Sequence, residues 1–293
     1  MGEKKMDIEW PSSTNKGTAL LKLKHQFDPN RILHDDYINW FFDESTIAKY
    51  RNAKPSVNED PKDPDRKFSR IAYWYAILRE KYIDDIIENR IESGCRQLLL
   101  LGSGYDTRFF RLPSIRKYSV ATFEVDLPET IKEKMTIFKK RLGSLPAGLS
   151  LIPLNFNDND LNGIVRGGFE PALPTVYVWQ GVSYYLPEQT VSTVLNFIRT
   201  KMATGSLLSF DCCSPLMLIE NDEIPGIRFN IERLKQIGEP YIFGMEPKDM
   251  KSWLQEKGFQ HIDVAMQDDL EMTYLHTRTL PKKMWYVVTA TSW

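Results

Sequence analysis

The chain has 293 residues, 42% hydrophobic and 26% charged, with 38 basic against 39 acidic side chains and a net charge of −1. That balance fits an ordinary globule with a sizeable core, and it argues against a disordered chain. No basic patch or stripe marks a nucleic-acid partner, and no apolar run approaches the roughly eighteen residues that read as a membrane span.

The N-terminal stretch MGEKKMDIEW lacks the apolar segment of a signal peptide, and Met6 stands where a myristoylation signal has Ser or Thr. Residues 18–27 and 37–42 read as short helices. Residues 53–66 (AKPSVNEDPKDPDR), polar and dotted with proline, read as a surface loop. Between residues 68 and 90, apolar side chains such as Ile71, Tyr75, Leu78, Tyr82 and Ile86 recur at three- and four-residue spacing, which predicts a long helix closed by Ser93-Gly94. The pattern then changes. Residues 97–101 form a continuous apolar run into a glycine turn, the mark of a buried parallel strand. Further strands are expected at 120–125, 150–154, 175–179, 206–211, 260–265 and 285–291. Helices are expected at 128–142, 187–201 and 247–257. The charged run at 132–141 (KEKMTIFKKR) reads as the solvated face of its helix.

Strands alternating with helices of this length imply an α/β fold on a mostly parallel sheet. The last two strands leave no room for a regular crossover helix, so the final one is free to run antiparallel, joined by a loop at 267–283. Residues 212–246 also break the alternation, and insertions of this kind often act as lids or substrate-binding elements. The cysteines are Cys95, Cys212 and Cys213, with no CxxC pair. That argues against a zinc site and a disulfide framework, so no metal is expected, and a reducing, cytoplasmic location is.

Gly102-Ser103-Gly104 is the strongest local signal, because a glycine turn after a parallel strand lets a ligand approach the backbone closely. It is not the GxGxxG dinucleotide fingerprint, since Thr107 stands where the third glycine would fall. A nicotinamide dehydrogenase is therefore disfavoured. The second strand ends in Glu124-Val125-Asp126, placing a carboxylate where it can accept from a ribose diol. Asn155 and Phe156 follow the third strand and offer an amide and an aromatic face to an adenine. Gln180-Gly181 follows the fourth. Glycine turn, ribose acid and adenine loop, in this order, suit a nucleoside without phosphates.

Residues 101–112 (LGSGYDTRFFRL), 123–128 (FEVDLP), 154–158 (LNFND) and 180–186 (QGVSYYL) resemble, in order, the motifs of the leucine carboxyl methyltransferase family. The resemblance implies a Rossmann-like class I methyltransferase fold: a mostly parallel seven-stranded sheet with helices on both faces, an N-terminal helical cap and lid insertions. It implies one domain over 1–293, with the cap at 1–66, the cofactor core at 67–211, a lid or substrate insertion at 212–246 and the rest of the core at 247–293. The implied cofactor is S-adenosyl-L-methionine, with S-adenosyl-L-homocysteine as product. Gly102, Ser103 and Gly104 would pass under its methionine part, and Asp126, with Glu124 beside it, would hold the ribose. Asn155 and Phe156 would contact adenine. Arg79, with Lys24 or alternatively Lys22, would bind the cofactor carboxylate, and Gln180 would orient the amino group. Where the family usually has Glu and Asp, this chain has Gln180 and Asn155. Without the resemblance, Arg79 reads as a surface arginine pairing with Asp84 or Asp85.

Asp106, Thr107, Arg108 and Arg111 are expected to tie the N-terminal helices to the sheet, and Trp179, Tyr184 and Tyr185 to form core or pocket wall. The resemblance implies O-methylation of a carboxylate, or a hydroxyl, of a small metabolite by in-line transfer. A carboxylate is ionised at neutral pH and needs no base, only alignment and exclusion of water. A hydroxyl acceptor would need a base, for which His276 is the candidate among four histidines. Two alternatives stand beside this: a protein C-terminal carboxyl methyltransferase, and a non-catalytic cofactor-binding protein that kept the fold.

Overall fold

The computed structural model describes residues 14–52, 63–158, 160–281 and 283–292. The expectations for the first ten residues, and for most of the 53–66 loop, lie outside the described residues. The described chain opens with α1 (Thr14–Gln26), a 3-10 turn (Asp36–Phe41), α2 (Glu44–Arg51) and α3 (Pro64–Glu92). The alternating part follows: β1 (Gln97–Leu101), α4 (Arg108–Arg111), α5 (Pro113–Lys117), β2 (Ala121–Asp126), α6 (Pro128–Leu142), β3 (Leu149–Pro153), α7 (Asn162–Arg166), β4 (Thr175–Trp179), α8 (Glu188–Lys201) and β5 (Leu207–Cys213). Then come α9 (Ile227–Gln236), α10 (Pro247–Glu256), β6 (Gln260–Met266), α11 (Gln267–Leu275) and β7 (Trp285–Thr291).

The seven strands form one sheet in the order β3-β2-β1-β4-β5-β7-β6. The first five are parallel; β7 enters antiparallel between β5 and β6. Strand residues alternate between two cores. Leu98 and Leu100 of β1, Val176 and Val178 of β4, and Trp285 and Val287 of β7 pack on the face that α3 covers. Leu99 and Leu101, Tyr177 and Trp179, and Tyr286 and Val288 pack on the opposite face with α8 and α10. Burial on both sides explains why these strands read as unbroken apolar runs. The order reverses between β1 and β4. The carboxyl ends of those two strands are the topological switch point, where open α/β sheets hold ligands.

Three expectations need correction. The segment 267–283 is not all loop: α11 occupies its first half and packs on α3. It escapes the apolar pattern because its buried residues include Gln267, Asp268 and Glu271. The Glu271 carboxylate accepts from the backbone N–H groups of Thr279 and Leu280, at 2.7 Å each, and so folds the following turn back onto the helix. The segment 212–246 is likewise not featureless: β5 runs on to Cys213, and α9 lies against α3. Gly226, at φ +71°, opens α9 so close to α3 that a Cβ there would lie 2.5 Å from the Pro64 carbonyl oxygen. Finally, the charged run on α6 is not wholly solvated, because Lys134 is fully buried and paired with Glu124 of β2. No described helix is long and apolar enough to cross a membrane.

Candidate active site

The turn after β1 is fixed from two sides. The N–H groups of Gly102 and Ser103 donate to the Val125 carbonyl at 2.8 and 3.0 Å, which holds the turn against the end of β2. Gly104 N–H donates to Asp126 Oδ2 at 2.6 Å, and Leu127 N–H to Asp126 Oδ1 at 2.7 Å. Gly102 sits at φ +68°, and a Cβ on it would lie 2.3 Å from Val182 Cγ2. Glycine is therefore required here by backbone angle and by space.

Above the turn lies an open cleft. Its walls come from four places: Lys22 of α1, Arg79 and Glu80 of α3, the turn with Arg108 behind it, and Gln180 after β4. Lys22 Nζ lies 3.2 Å from Glu80 Oε1 and 3.3 Å from Asp35 Oδ2. Burial alone would lower its pKa; the two carboxylates more than offset that and hold the ammonium above its ordinary value. Arg79 is buried, pairs with Asp211 two residues before the end of β5 and donates to the Tyr184 hydroxyl at 3.1 Å. The Gln180 amide is a bridge: its Oε1 accepts from Arg108 at 2.7 Å and its Nε2 donates to Glu80 at 2.7 Å.

The LGSGYDTRFFRL stretch does tie the N-terminal helices to the sheet, chiefly through α3. Arg108 reaches Asp84 at 2.8 Å, Arg111 reaches Glu80 at 2.7 Å and pairs with Asp84, and the Thr107 hydroxyl donates to Asp35 at 2.7 Å. Burial would by itself lower the guanidinium pKa values. Asp106, Glu80 and Asp84 around Arg108, and Asp84 and Glu80 around Arg111, raise them instead, so both stay charged.

Four assignments change. Lys24 is exposed, its ammonium 5.2 Å from the centre of the Tyr73 ring, and it is Lys22 that reaches the cleft. Glu124 is sealed under α6 against Lys134, where burial pushes its carboxyl up to about 7 while Lys134 pulls the other way. It is therefore not free to accept from a ribose. Arg79 is no surface residue paired with Asp84 or Asp85; Asp84 serves Arg108 and Arg111, and Asp85 pairs with Lys81. His276 is the exposed, left-handed cap of α11 and lines neither cavity described here. Asn155 and Phe156 lie at the end of β3, outside the cleft wall. Asn155 Oδ1 accepts from Asn157 N–H at 3.0 Å, and the Phe156 ring meets Trp179 edge-on at 6.2 Å. Glu80 and Asp211 were missed. Asp211 had a signal, an acid at the carboxyl end of a strand; Glu80 had none beyond its place next to Arg79.

A second cavity adjoins the first, and Thr18 and Arg79 line both. Tyr184 and Tyr185 do form pocket wall there, with Tyr75, Tyr241 and Trp285. Trp179 is fully buried core.

A family model described as leucine carboxyl methyltransferase matches residues 16–199. A protein of Mycolicibacterium paratuberculosis named "Putative S-adenosyl-L-methionine-dependent methyltransferase" is 25% identical over 89% of this chain and 83% of its own length. A Streptomyces coelicolor protein of like name is 29% identical over 52% of this chain and 53% of itself. The chain thus spans about half the length of some curated relatives and most of another. The crystal structure of a DUF574 family protein from Streptomyces avermitilis matches with a TM-score of 0.54 at 13% identity, covering 80% of this chain and 93% of that one. That last likeness is one of fold.

Proposed function

The chain belongs to the leucine carboxyl methyltransferase family, and from that premise we propose that it transfers a methyl group to the carboxylate of a small metabolite. It is an S-adenosyl-L-methionine-dependent methyltransferase. The residues present fit that cofactor. Two buried polar atoms in the cleft wall, Ser103 Oγ and Arg79 Nε, have no hydrogen-bond partner in the protein, and such atoms call for a polar ligand. The cofactor supplies an electrophilic methyl on a sulfonium.

The chain's own residues would do the rest. Lys22 and Arg79 would take the carboxylate end, and Gln180 and Glu80 flank the place of the amino group. Each Asp126 oxygen holds one backbone N–H and keeps a second lone pair for a ribose hydroxyl. Asn155 and Phe156 stand two strands further along the sheet edge, about 10 Å at the usual strand spacing, a reach that suits the adenine end.

One observation carries the choice of acceptor. The described lining of the second cavity includes two arginines, Arg79 and Arg233, and no Asp, Glu, His, Lys or Cys. It attracts an anion and holds no base to ionise a hydroxyl. Burial also keeps its tyrosines protonated, raising Tyr75, Tyr184 and Tyr241 well above their ordinary value. In transfer to a carboxylate the S–CH₃ bond breaks as the O–CH₃ bond forms. The sulfonium and the carboxylate neutralise each other, and no proton is released. Transfer to a hydroxyl releases one. With methyl-labelled cofactor and a mixture of small acids, the expected product is an ester that alkali cleaves to labelled methanol, with no acidification in weak buffer. An alkali-stable product formed with proton release would overturn the carboxylate reading.

A further inference from the structure

We infer that the acceptor is a compact aromatic monocarboxylate seated in the second cavity, a conclusion that rests on the methyl-transfer reading above. Two groups of rings line this cavity. Tyr75 and Trp285 stack at 5.0 Å and 12°, with Phe68 edge-on to Trp285 at 5.8 Å. Tyr184, Tyr185 and Tyr241 form the other group, with ring centres 4.5 to 5.0 Å apart.

The hydroxyls of these tyrosines are already committed within the protein. Tyr75 donates to Asp211 at 3.3 Å; Tyr184 accepts from Arg79 at 3.1 Å; Tyr185 and Tyr241 bond to each other. What the tyrosines chiefly offer a ligand is ring face and ring edge, which favours a flat apolar body. A sugar or a nucleotide would bury hydroxyls with few partners, a costly arrangement. The charge is also bounded. Asp211 opposes Arg79, and Glu239 acts on Arg233, so each arginine is already balanced and the cavity has no charge to hold two or three carboxylates; one is the most it suits, met by donors such as the unpartnered Arg79 Nε. That carboxylate belongs at the Arg79 end, since Arg79 lines both cavities and the methyl must arrive from the glycine-turn side.

Calorimetry on the protein saturated with S-adenosyl-L-homocysteine tests this with three probes: 3-phenylpropanoate, 3-phenylpropan-1-ol and succinate. The expected result is 3-phenylpropanoate binding at least about tenfold more tightly than either of the others, the loss of one charge-assisted contact being worth that much. Arg79→Gln should bring the affinity for 3-phenylpropanoate down to that of the alcohol and leave the alcohol unchanged, a difference that general loosening of the fold would not produce. Tyr241→Leu should weaken both ring-bearing probes. Binding of S-adenosyl-L-homocysteine by each variant reports an intact fold; if a variant loses it, the order of the three probes on the unaltered protein decides. If the protein binds S-adenosyl-L-homocysteine but takes succinate or the alcohol as well as 3-phenylpropanoate, the aromatic monocarboxylate is wrong and methyl transfer stands. If it does not bind S-adenosyl-L-homocysteine at all, both fall.

Discussion

Asp126 works on both sides of its carboxylate. It anchors Gly104 N–H and Leu127 N–H, and in the proposed mode its remaining lone pairs receive the ribose. Asp126→Ala should weaken S-adenosyl-L-homocysteine binding by at least about tenfold, as expected when a buried diol loses its acceptor; calorimetry on the folded variant gives the answer, and unchanged affinity would displace the ribose site. Gly102→Ala should lower thermal stability by about 1–3 kcal/mol, because the new methyl meets Val182 and φ is positive. Adding Val182→Ala should recover part of that loss and leave the part due to φ.

Two buried groups give opposite pH dependences. His25 is fully buried, its Nε2 accepting from Ile32 N–H at 3.0 Å, and burial lowers its pKa from 6.5 to about 4. The unfolded chain therefore takes up the proton first, and His25's contribution to stability is lost as pH falls from 6.5 toward 4. Glu124, raised by burial from 4.5 to about 7, is the reverse case: the folded state holds its proton longer, and stability is lost as pH rises from 4.5 toward 7. Urea midpoints measured from pH 4 to 8 should separate the two. Because the two slopes oppose each other where the windows overlap, His25→Gln should leave stability falling with rising pH between 4.5 and 7, and Glu124→Gln should leave it rising with pH between 4 and 6.5.

At the scale of elements, α3 carries the heaviest electrostatic duty. Its Glu80 and Asp84 receive Arg108 and Arg111, while Lys22 arrives from α1. A buried network of this kind is weak evidence of net stability, but removing one partner leaves an uncompensated charge and costs about 3–5 kcal/mol. Arg111→Met should destabilise by that amount in urea unfolding; a change below about 1 kcal/mol would mean that water already reaches these groups. The same scale shows what could be read in advance. β1, β4 and β7 were legible to the residue, because strands buried on both faces are apolar runs with sharp ends. The ion pairs of the LGSGYDTRFFRL stretch were legible as a role, though not as partners. α11 was not legible, since a helix that buries Gln267, Asp268 and Glu271 against its neighbours has no apolar stripe. α9 had its stripe, Ile227, Ile231 and Leu234, inside the stretch read as a lid or substrate insertion with no element assigned. Lys134 had a signal too: it stands three residues after Ile131 and four before Phe138, which are both buried, so helical spacing alone puts it on the inner face.

For the whole molecule, the sheet and its switch point followed from alternation and order, whereas the second cavity did not. It exists only because α1, α3, the turn after β4, the cover carrying α9 and β7 come together, and no local pattern announces a space between five distant segments. Ligand occupancy should be felt globally. S-adenosyl-L-homocysteine at a hundred times its Kd should add about 2.7 kcal/mol of stability, visible as a rise in Tm; no shift at saturating ligand would contradict the cleft assignment.

The antiparallel entry of β7 has a consequence for the order of assembly. β6 pairs with β7 and with no other strand, yet it precedes β7 in the chain. As the polypeptide emerges from the ribosome, residues 260–266 must wait, with α10 already beside them, for an edge that does not yet exist. The strand is suited to that interval: Gln260, His261 and Asp263 are solvent-exposed even in the finished sheet, which keeps a waiting edge from recruiting a second chain. Once β7 slots in, the two strands close together. Hydrogen exchange of the β6 amides should therefore report an opening no rarer than that of β7 itself.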